Sequence, residues 1–405
     1  GSEMCIRDRP DITTDRIARV SRCLDEAIGL AAPHRLHFHT PTEELAAEWS
    51  RVGAEPISVL PYPVDGVPET ACEAPRPISE GERFRVAILG DARSEKSSHL
   101  TPALLDRIDA IPTLAARLRF AVQTNPGFHP RSRRPADLLV AAALEALAHH
   151  GEALVERLAG PLDVDAYRHQ LDLADAFFLA YDQRCYRQRC SAILLEALAS
   201  GKVPIVTGGG WMARRLLPAL RAHVDGLDRD LQGCGGERWD GLTGAAWSRP
   251  VRPPAGAGLM VVELSWSSRG TAALLEAPVR VGFGTHATPD TAILQADPGG
   301  LPVPAVFRLR HTADGIGQHT LSIAPAFPGG RSSSSLTEVR LRWLHGDHRA
   351  ALGSVGIVTA DAEGGTAALE EFVAHAGHYR STAAEAARII RREHAPRAVL
   401  EGLLA

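Results

Sequence analysis

The sequence has little of several features that define particular classes of protein. Aromatic residues make up 5% of the 405 residues, and the six cysteines form neither a C-x-x-C pair nor a zinc-type spacing. This cysteine pattern favours reduced thiols in a cytoplasmic protein over a disulfide framework. No apolar run is long enough to span a bilayer. The net charge of −4 gives no electrostatic basis for a nucleic-acid partner.

A short helix followed by a buried strand organises the centre of the chain. Ser191 is placed to cap the apolar run AILLEALAS, and Gly201 lies where a left-handed residue commonly ends a helix. The run VPIVT at 203–207 predicts an interior strand of a parallel sheet. Ligands of such sheets bind beyond the carboxyl ends of the strands. Four residues are therefore expected at a binding site: Thr207, Gly208, Gly209 and Gly210.

Glu196 interrupts the apolar helix, and its carboxylate needs either solvent or a hydrogen-bond partner. The surrounding string, LLEALASGKVPIVTGGGW, resembles the donor-site segment of retaining, glycogen-synthase-like glycosyltransferases of the GT-B architecture, the group 1 type. In that family the helix carries a glutamate that accepts hydrogen bonds from the ribose hydroxyls of the sugar nucleotide. The resemblance gives this role to Glu196. A solvated polar face of the helix is the alternative interpretation.

Two nearby positions depart from the family pattern. The family often has a second glutamate eight residues upstream that contacts the transferred sugar, and Gln188 occupies that position here. Cys190 or Ser191 replaces the glycine that usually follows. Arg189 and Ser191 keep an R-x-S approach to the helix, whose free N–H groups suit an anionic or hydroxyl-rich ligand. The nucleotide half of the site is therefore better supported than the sugar half.

A second group of candidate ligands follows the strand-like run FRVAILG, which ends at Gly90. Arg93 and Lys96 come next. They suit a pyrophosphate because arginine offers a fork of donors and lysine a compact charge. In the resembled family, a G-x-x-R-x-x-K-G-like loop supplies these two cations, and Ser97 replaces its last glycine here. A solvated loop is the alternative interpretation of both cations.

The order of the elements predicts an α/β fold. Strands and helices alternate between 84 and 207, which implies a parallel sheet with right-handed crossovers. Short segments with a period of two then predict an antiparallel β-sandwich-like module inserted into a Rossmann-like GT-B donor domain. The expected units are a non-native leader (1–9), the C-terminal remnant of an acceptor domain (10–65), a linker (66–81), the donor-binding domain (82–230), the β module (235–350), and a strand and helices that complete the donor domain (351–405).

The beginning of the chain predicts a truncated protein. GSEMCIRDR resembles a translated adapter sequence, and the segments HTPTEEL and ISVLPYPVD resemble the end of a GT-B acceptor domain. A whole acceptor domain is much longer, so the resemblance implies that only its tail is present. We therefore expect this chain to bind a donor without competent transfer.

The resemblance implies transfer of a sugar from a nucleotide-diphosphate donor to an acceptor hydroxyl, with retention at the anomeric carbon. The implied partners are a nucleotide sugar and a glycan or other hydroxyl acceptor, and peripheral membrane association through the missing domain stays open. No cofactor and no metal are expected, because the DVD at 163–165 lies at a helix start, where aspartate is favoured as a cap. The sequence assigns no catalytic residue and does not identify the nucleotide base, sugar or acceptor.

Two other functions stay open. A nucleotide-sugar epimerase of related architecture would use the same sheet and would need acid and base groups facing the sugar. A non-catalytic glycan-binding scaffold with a degenerate nucleotide site is favoured by Gln188 and Ser97. Trp266 and Trp343 lie on strand faces that favour the core of the β module over stacking on sugar rings.

Overall fold

The apolar spacing of residues 12–31 predicts a helix. Most of that segment, the leader 1–9 and most of the linker 66–81 lie outside the residues that the computed structural model describes. The described residues are 22–23, 25–26, 37–50, 57–64, 78–79, 81–183, 185–216, 232–242, 246–267, 279–284, 290–294, 304–309, 319–325, 335–345, 356–359 and 362–404.

In chain order the strands are β1 (Phe38–Thr40), β2 (Ile57–Val59), β3 (Phe84–Ile88), β4 (Leu118–Gln123), β5 (Val155–Leu158), β6 (Ala176–Leu179), β7 (Val203–Thr207), β8 (Gly233–Asp240), β9 (Trp247–Val251), β10 (Ala257–Ser267), β11 (Val279–Gly284), β12 (Asp290–Leu294), β13 (Ala305–Arg308), β14 (His319–Pro325), β15 (Ser335–His345) and β16 (Ile357–Thr359). The helices are α1 (Glu43–Ser50), α2 (Thr101–Asp109), α3 (Pro112–Ala115), α4 (Pro135–Ala146), α5 (Val164–Leu173), α6 (Ala192–Ala199), α7 (Gly365–Glu393) and α8 (Pro396–Leu404).

Six strands form a parallel sheet in the order β16, β7, β6, β3, β4, β5. The predicted α/β class and parallel sheet are confirmed. The chain builds the sheet outward from β3 through β4 to β5, then returns to place β6 on the other side of β3. The loops after β3 and β6 therefore diverge, and this topological switch point is where open α/β sheets bind their ligands.

Helices cover both faces of the parallel sheet. Val86 of β3 packs in one cluster with Leu104 of α2 and Leu369 of α7. The next residue, Ala87, packs in the opposite cluster with Leu195 of α6. Neighbouring side chains of a strand point to opposite faces, so a strand buried on both sides must be apolar throughout. This explains the largely apolar runs in β3 and β7. The charged exception in β3 is Arg85, which pairs with Glu156 of β5 at 2.7 Å.

The antiparallel strands form two four-stranded sheets, ordered β13-β10-β15-β8 and β12-β11-β14-β9. Buried residues of both sheets belong to one hydrophobic cluster, which includes Val339, Leu341 and Trp343 as their alternation predicts. The side chain of Trp266 lies outside the described part. The sequence pattern predicts neither β8 nor β9, because glycine and proline interrupt the alternation, and both are edge strands that pair on one side only.

The antiparallel strands lie in the chain between β7 and β16, two neighbours of the parallel sheet. The two ends of this region meet: Gly233 pairs with Leu344, and the His345 N–H donates to the Gln232 carbonyl oxygen at 2.9 Å. Helix α7 follows β16 and packs on the parallel sheet through Phe372. A break before Pro396, which cannot continue a helix, separates α7 from α8. Within the described residues, every helix is too short or too polar to cross a membrane.

The N-terminal segment, formed by β1, β2 and α1, packs against the loop that precedes α6. Thr42 Oγ1 donates to the Gln188 carbonyl oxygen at 2.7 Å. Arg214 Nε lies 2.5 Å from Glu44 Oε1, and the Arg214 side chain is only 3% exposed. Arg214 Nη2 also contacts Glu43 Oε2 at 3.3 Å. Burial raises the pKa of Glu44 to about 7 although Arg214 opposes this shift. A buried ion pair thus joins α1 to the helical turn at 211–216.

Candidate functional site

Lys96 lies at the switch point, above the carboxyl end of β3. A Cβ built on Gly90 would lie 2.5 Å from Lys96 Nζ, so the ammonium lies directly over this glycine. The φ of +88° at Gly90 favours glycine. The ammonium also lies 5.6 Å from the ring centroid of Tyr181, which follows β6. Among the described residues, Lys96 Nζ forms no ion pair. Burial, together with the charge of Arg93, lowers the pKa of Lys96 to about 8.

Arg93 is held by carboxylates on the same loop. Arg93 Nη2 donates to Asp91 Oδ2 at 2.9 Å, and Asn125 Nδ2 donates to the other oxygen of Asp91 at 2.7 Å. Burial opposes ionisation of Asp91, but these hydrogen bonds outweigh it and hold its pKa below the ordinary value. A Cβ on Gly127 would lie 2.6 Å from Arg93 Cγ, so this glycine makes room for the guanidinium stem. The guanidinium therefore lies beside Lys96 in a fixed position.

Ser97 adopts the left-handed conformation, with a φ of 56°. The resembled loop has glycine at this position, and the structure shows why glycine suits it. Ser97 links two short 3-10 turns, Ser94–Lys96 and Ser98–Leu100, and its N–H donates to the Ser94 carbonyl oxygen at 2.9 Å. Ser97 thus keeps the loop geometry that glycine would adopt, but its backbone is strained.

Substituting Ser97→Gly is expected to raise the free energy of unfolding by up to about 1 kcal/mol, because a non-glycine residue in this conformation costs about 1–2 kcal/mol. Part of the gain is offset by the greater chain entropy of glycine. Urea denaturation measures the change. The same substitution at Ser94, which lacks a positive φ, should lower stability by about 0.5–1 kcal/mol. Equal effects of the two substitutions would contradict the strain at Ser97.

Glu196 lies on α6, one helical turn from Ile193, whose Cδ1 would be 2.8 Å from a Cβ on Gly90. The Tyr167 hydroxyl of α5 donates a hydrogen bond to Glu196 Oε2. Burial raises the pKa of Glu196, and this hydrogen bond opposes the shift. Burial and the charge of Glu196 raise the pKa of Tyr167 further above its ordinary value. The tyrosine therefore stays protonated and fixes one carboxylate oxygen.

The loop between β6 and α6 closes the site. Ser191 caps α6 as predicted, since its Oγ accepts from the Leu194 N–H at 3.3 Å. The Arg189 guanidinium lies 5.8 Å from the ring centroid of Tyr186. The rings of Tyr181 and Tyr186 pack 4.5 Å apart. Aromatic packing thus positions the loop beside Lys96.

The segment after β7 is closely packed against this loop. Thr207 Oγ1 donates to the Tyr181 carbonyl oxygen at 2.7 Å, and the Gly208 N–H donates to the Thr359 carbonyl oxygen at 2.8 Å. Gly209 has a φ of +83°. A Cβ on Gly210 would lie 2.8 Å from the Tyr186 carbonyl oxygen, so only glycine fits. These residues place the loop; their contact with a ligand stays a prediction.

Several residues of the site carry no signal in the sequence pattern. They are Asp91, Asn125, Tyr167 and Tyr181. Composition does single out Lys96, because the whole chain contains only two lysines, Lys96 and Lys202. No group of three or more histidine, cysteine, aspartate or glutamate side chains in the described ranges could hold a metal ion. Asp163 of the DVD segment caps α5, accepting from the Ala166 N–H at 2.8 Å.

No protein-family model matches the sequence, and no curated protein matches it. Solved structures of glycosyltransferases are similar to part of the chain. A sucrose-phosphate synthase from Thermosynechococcus elongatus is 16% identical, with 55% of this chain and 49% of that chain covered and a TM-score of 0.34. A trehalose-phosphate synthase from Burkholderia multivorans is 13% identical, with coverage of 52% and 51% and a TM-score of 0.37.

A UDP-forming trehalose-phosphate synthase from Burkholderia xenovorans is 12% identical, with 40% of this chain and 39% of that chain covered and a TM-score of 0.30. The chain thus spans about half of these enzymes or less.

Proposed function

We propose that this chain binds a nucleotide sugar at the switch point of its parallel sheet and forms part of a GT-B glycosyltransferase. The observation that carries the proposal is the half-buried ammonium of Lys96, which lies over Gly90 and lacks an anionic partner among the described residues. Removing a cation from water without a counter-ion is unfavourable, so the site suits an anion. The carboxylate of Glu196, beyond Ile193 on the adjoining helix, provides the acceptor that a ribose requires.

The two cations suit the diphosphate of such a donor. Lys96 supplies a charge that forms no ion pair among the described residues, and Arg93 supplies further donors while Asp91 holds its guanidinium in place. As the bond between the sugar and the diphosphate breaks, negative charge grows on the departing phosphate oxygens. Cations already in position stabilise that charge most where water is excluded. Their contribution is electrostatic and needs no proton transfer.

Glu196 suits the ribose hydroxyls because a carboxylate accepts hydrogen bonds from both. Tyr167 favours the ionised form of Glu196 and orients it, since its hydroxyl donates to Oε2. The two groups together would fix the sugar nucleotide at its ribose and leave the diphosphate beside Lys96. This arrangement accounts for a carboxylate within an otherwise apolar helix.

The finer features of the proposal concern the rest of the enzyme. Retention of configuration, the sugar contacts of Arg189, Ser191 and the glycines after β7, and a cytoplasmic location are part of it. So are a hydroxyl acceptor bound by a further domain and membrane association through that domain. The units proposed are an acceptor-domain remnant at 10–65, a donor domain at 82–230 and 351–405, and a β module at 235–350. No catalytic residue is assigned.

Calorimetric titration with UDP, GDP, ADP, their glucose conjugates and inorganic pyrophosphate tests the site. We expect one nucleotide to bind. We expect Glu196→Ala to lower the affinity for that nucleotide about tenfold, because a charge-assisted hydrogen bond to ribose is lost. Pyrophosphate has no ribose, so its affinity should be unchanged by this substitution. The difference between the two ligands assigns Glu196 to the ribose.

Glu145→Ala provides the matched control, because Glu145 is an exposed glutamate of α4. It should leave both affinities unchanged. The proposal is wrong if no nucleotide binds at millimolar concentration to a chain whose circular dichroism shows that it is folded. Equal weakening of UDP and pyrophosphate by Glu196→Ala would instead exclude the ribose role of Glu196.

A further inference from the structure

Two tryptophans join the edges of the antiparallel sheets. Strands β8 and β9 are the edge strands of the two different sheets, and Trp239 of β8 contacts Trp247 of β9. Their ring centroids are 4.9 Å apart with an interplanar angle of 58°. Both side chains are half-exposed. An aromatic surface therefore lies along the open side between the sheets.

The register of β8 places a charged residue on the same face as its tryptophan. Trp239 is opposite Val339 of β15, and Glu237 is opposite Leu341. Both β15 residues are buried between the sheets. Residues directly opposite each other in a sheet share a face, so Glu237 and Trp239 are both on the inner face. Glu237 is nevertheless exposed, which shows that the edge is uncovered at this point.

The register of β9 likewise places a charged residue on the same face as its tryptophan, and this residue is positively charged. Trp247 is opposite Ile323 of β14, and Arg249 is opposite Leu321. Both β14 residues are buried, yet Arg249 is exposed. Each edge strand thus presents a tryptophan and, two residues away on the same face, a charged side chain. We call the surface formed by Trp239, Trp247, Glu237 and Arg249 the edge groove.

The polar groups of the edge groove are available for a ligand. Neither Glu237 nor Arg249 forms an ion pair within the part of the chain that the structure describes. The indole N–H of Trp247 is buried and has no hydrogen-bond acceptor there. Buried indole N–H groups usually find an acceptor, so this donor is unsatisfied among the described residues, and the accessible polar groups are those of Glu237 and Arg249. Gly235, opposite Trp343 on the same face as Glu237, leaves the groove open along β8 because it carries no side chain.

We propose that the edge groove binds a neutral glycan. A pyranose ring has an apolar face of C–H groups that packs on an indole, and its hydroxyls both donate and accept hydrogen bonds. A carboxylate and a guanidinium, placed beside the indoles, serve these two needs at once. Their charges cancel, which suits an uncharged ligand and gives no attraction for a nucleic acid. The site lies in the antiparallel sheets and is independent of the nucleotide site.

Maltohexaose, cellohexaose and N-acetylchitohexaose are suitable probes of the intact chain, with tryptophan fluorescence and calorimetry as readouts. We expect at least one to bind with millimolar or better affinity. Trp239→Ala should weaken that binding at least about tenfold because aromatic contact is lost. Glu237→Ala and Arg249→Ala should each weaken it several-fold. These two positions are exposed, so their substitution tests the groove without removing buried surface.

Arg238→Ala is the control, because Arg238 neighbours both groove residues of β8 but faces away from the groove. It should leave glycan affinity unchanged, as should Lys96→Met, which removes only the nucleotide-site cation. Absence of binding by all three oligosaccharides to the folded chain overturns the proposal. So does binding that persists in Glu237→Ala and Arg249→Ala. Self-association of the chain that is lost in Trp239→Ala would show that the groove is instead a contact between copies.

Discussion

Lys96→Met is expected to weaken the binding of UDP and of inorganic pyrophosphate alike, by roughly 10- to 100-fold, because charge-assisted hydrogen bonds contribute about 1.5–3 kcal/mol. Methionine retains most of the aliphatic stem of lysine and removes only the ammonium that lies over Gly90 and Tyr181. Calorimetric titration of both ligands measures the loss. Glu196→Ala differs, because it should weaken the binding of the nucleotide and leave the binding of pyrophosphate unchanged.

Lys202→Met is the matched control, since Lys202 is the only other lysine of the chain. It precedes β7 and therefore lies at the amino ends of the strands, away from the candidate site. Its Nζ donates to the Asp172 carbonyl oxygen at 2.7 Å. It should not change the affinity for pyrophosphate. If Lys96→Met binds pyrophosphate as tightly as the parent chain, Lys96 is not the anion site.

The pH dependence of binding provides a second readout of Lys96. Because burial lowers the pKa of Lys96 to about 8, the ammonium is charged at neutral pH and is lost as the pH rises through that value. The affinity for UDP should therefore fall between about pH 7 and pH 9, a range in which the terminal phosphate stays ionised. Lys96→Arg should flatten this profile, because arginine stays protonated throughout.

Arg214→Met is expected to lower the free energy of unfolding by about 3–5 kcal/mol, because it leaves the carboxylate of Glu44 buried without its partner. Urea denaturation measures the loss. Arg397→Met is the control, since Arg397 pairs with Glu401 on the surface of α8. The same substitution there should change stability by no more than about 1 kcal/mol.

The loss of stability caused by Arg214→Met should also depend on pH. The pKa of Glu44 in the folded chain, about 7, lies above its ordinary value of 4.5, so the proton bound by Glu44 stabilises the fold at low pH and is lost as pH rises. Removing Arg214 raises this pKa further. The deficit should therefore be larger at about pH 8 than at about pH 5. The double variant with Glu44→Leu should recover most of the stability, and a deficit that persists in it would exclude the stranded carboxylate as the cause.

Much of the parallel sheet could be predicted because its interior strands are largely apolar, as in FRVAI and VPIVT, where Arg85 is the one charged residue. The edge strands β8 and β9 could not, because an edge needs neither alternation nor freedom from glycine and proline. Within the antiparallel sheets, β15 could be predicted since its inner residues alternate with polar ones. The periodicity of a sequence therefore reports burial, and strands without complete burial leave weaker patterns.

The residues of the candidate site also differ in whether local sequence patterns predict them. The cations after β3 and the cap of α6 could be predicted from local spacing, because each depends on a few adjacent residues. The hydrogen bond between Tyr167 and Glu196 joins residues 29 positions apart, and the contact of Asn125 with Asp91 joins neighbouring loops. Such pairs depend on how elements meet in space. Local patterns therefore identify charged groups without showing which partners orient them.

The position of the antiparallel sheets between β7 and β16 affects how the chain folds. Pairing β16 with β7 closes a loop of roughly 150 residues, whose closure costs entropy that grows with the logarithm of its length. The hydrogen bond between His345 and Gln232 joins the ends of the intervening sheets. Once these sheets have formed, the effective loop shrinks to roughly 40 residues, which reduces the closure cost by about 1 kcal/mol. The antiparallel sheets thus act as an internal cross-link that favours completion of the neighbouring parallel sheet.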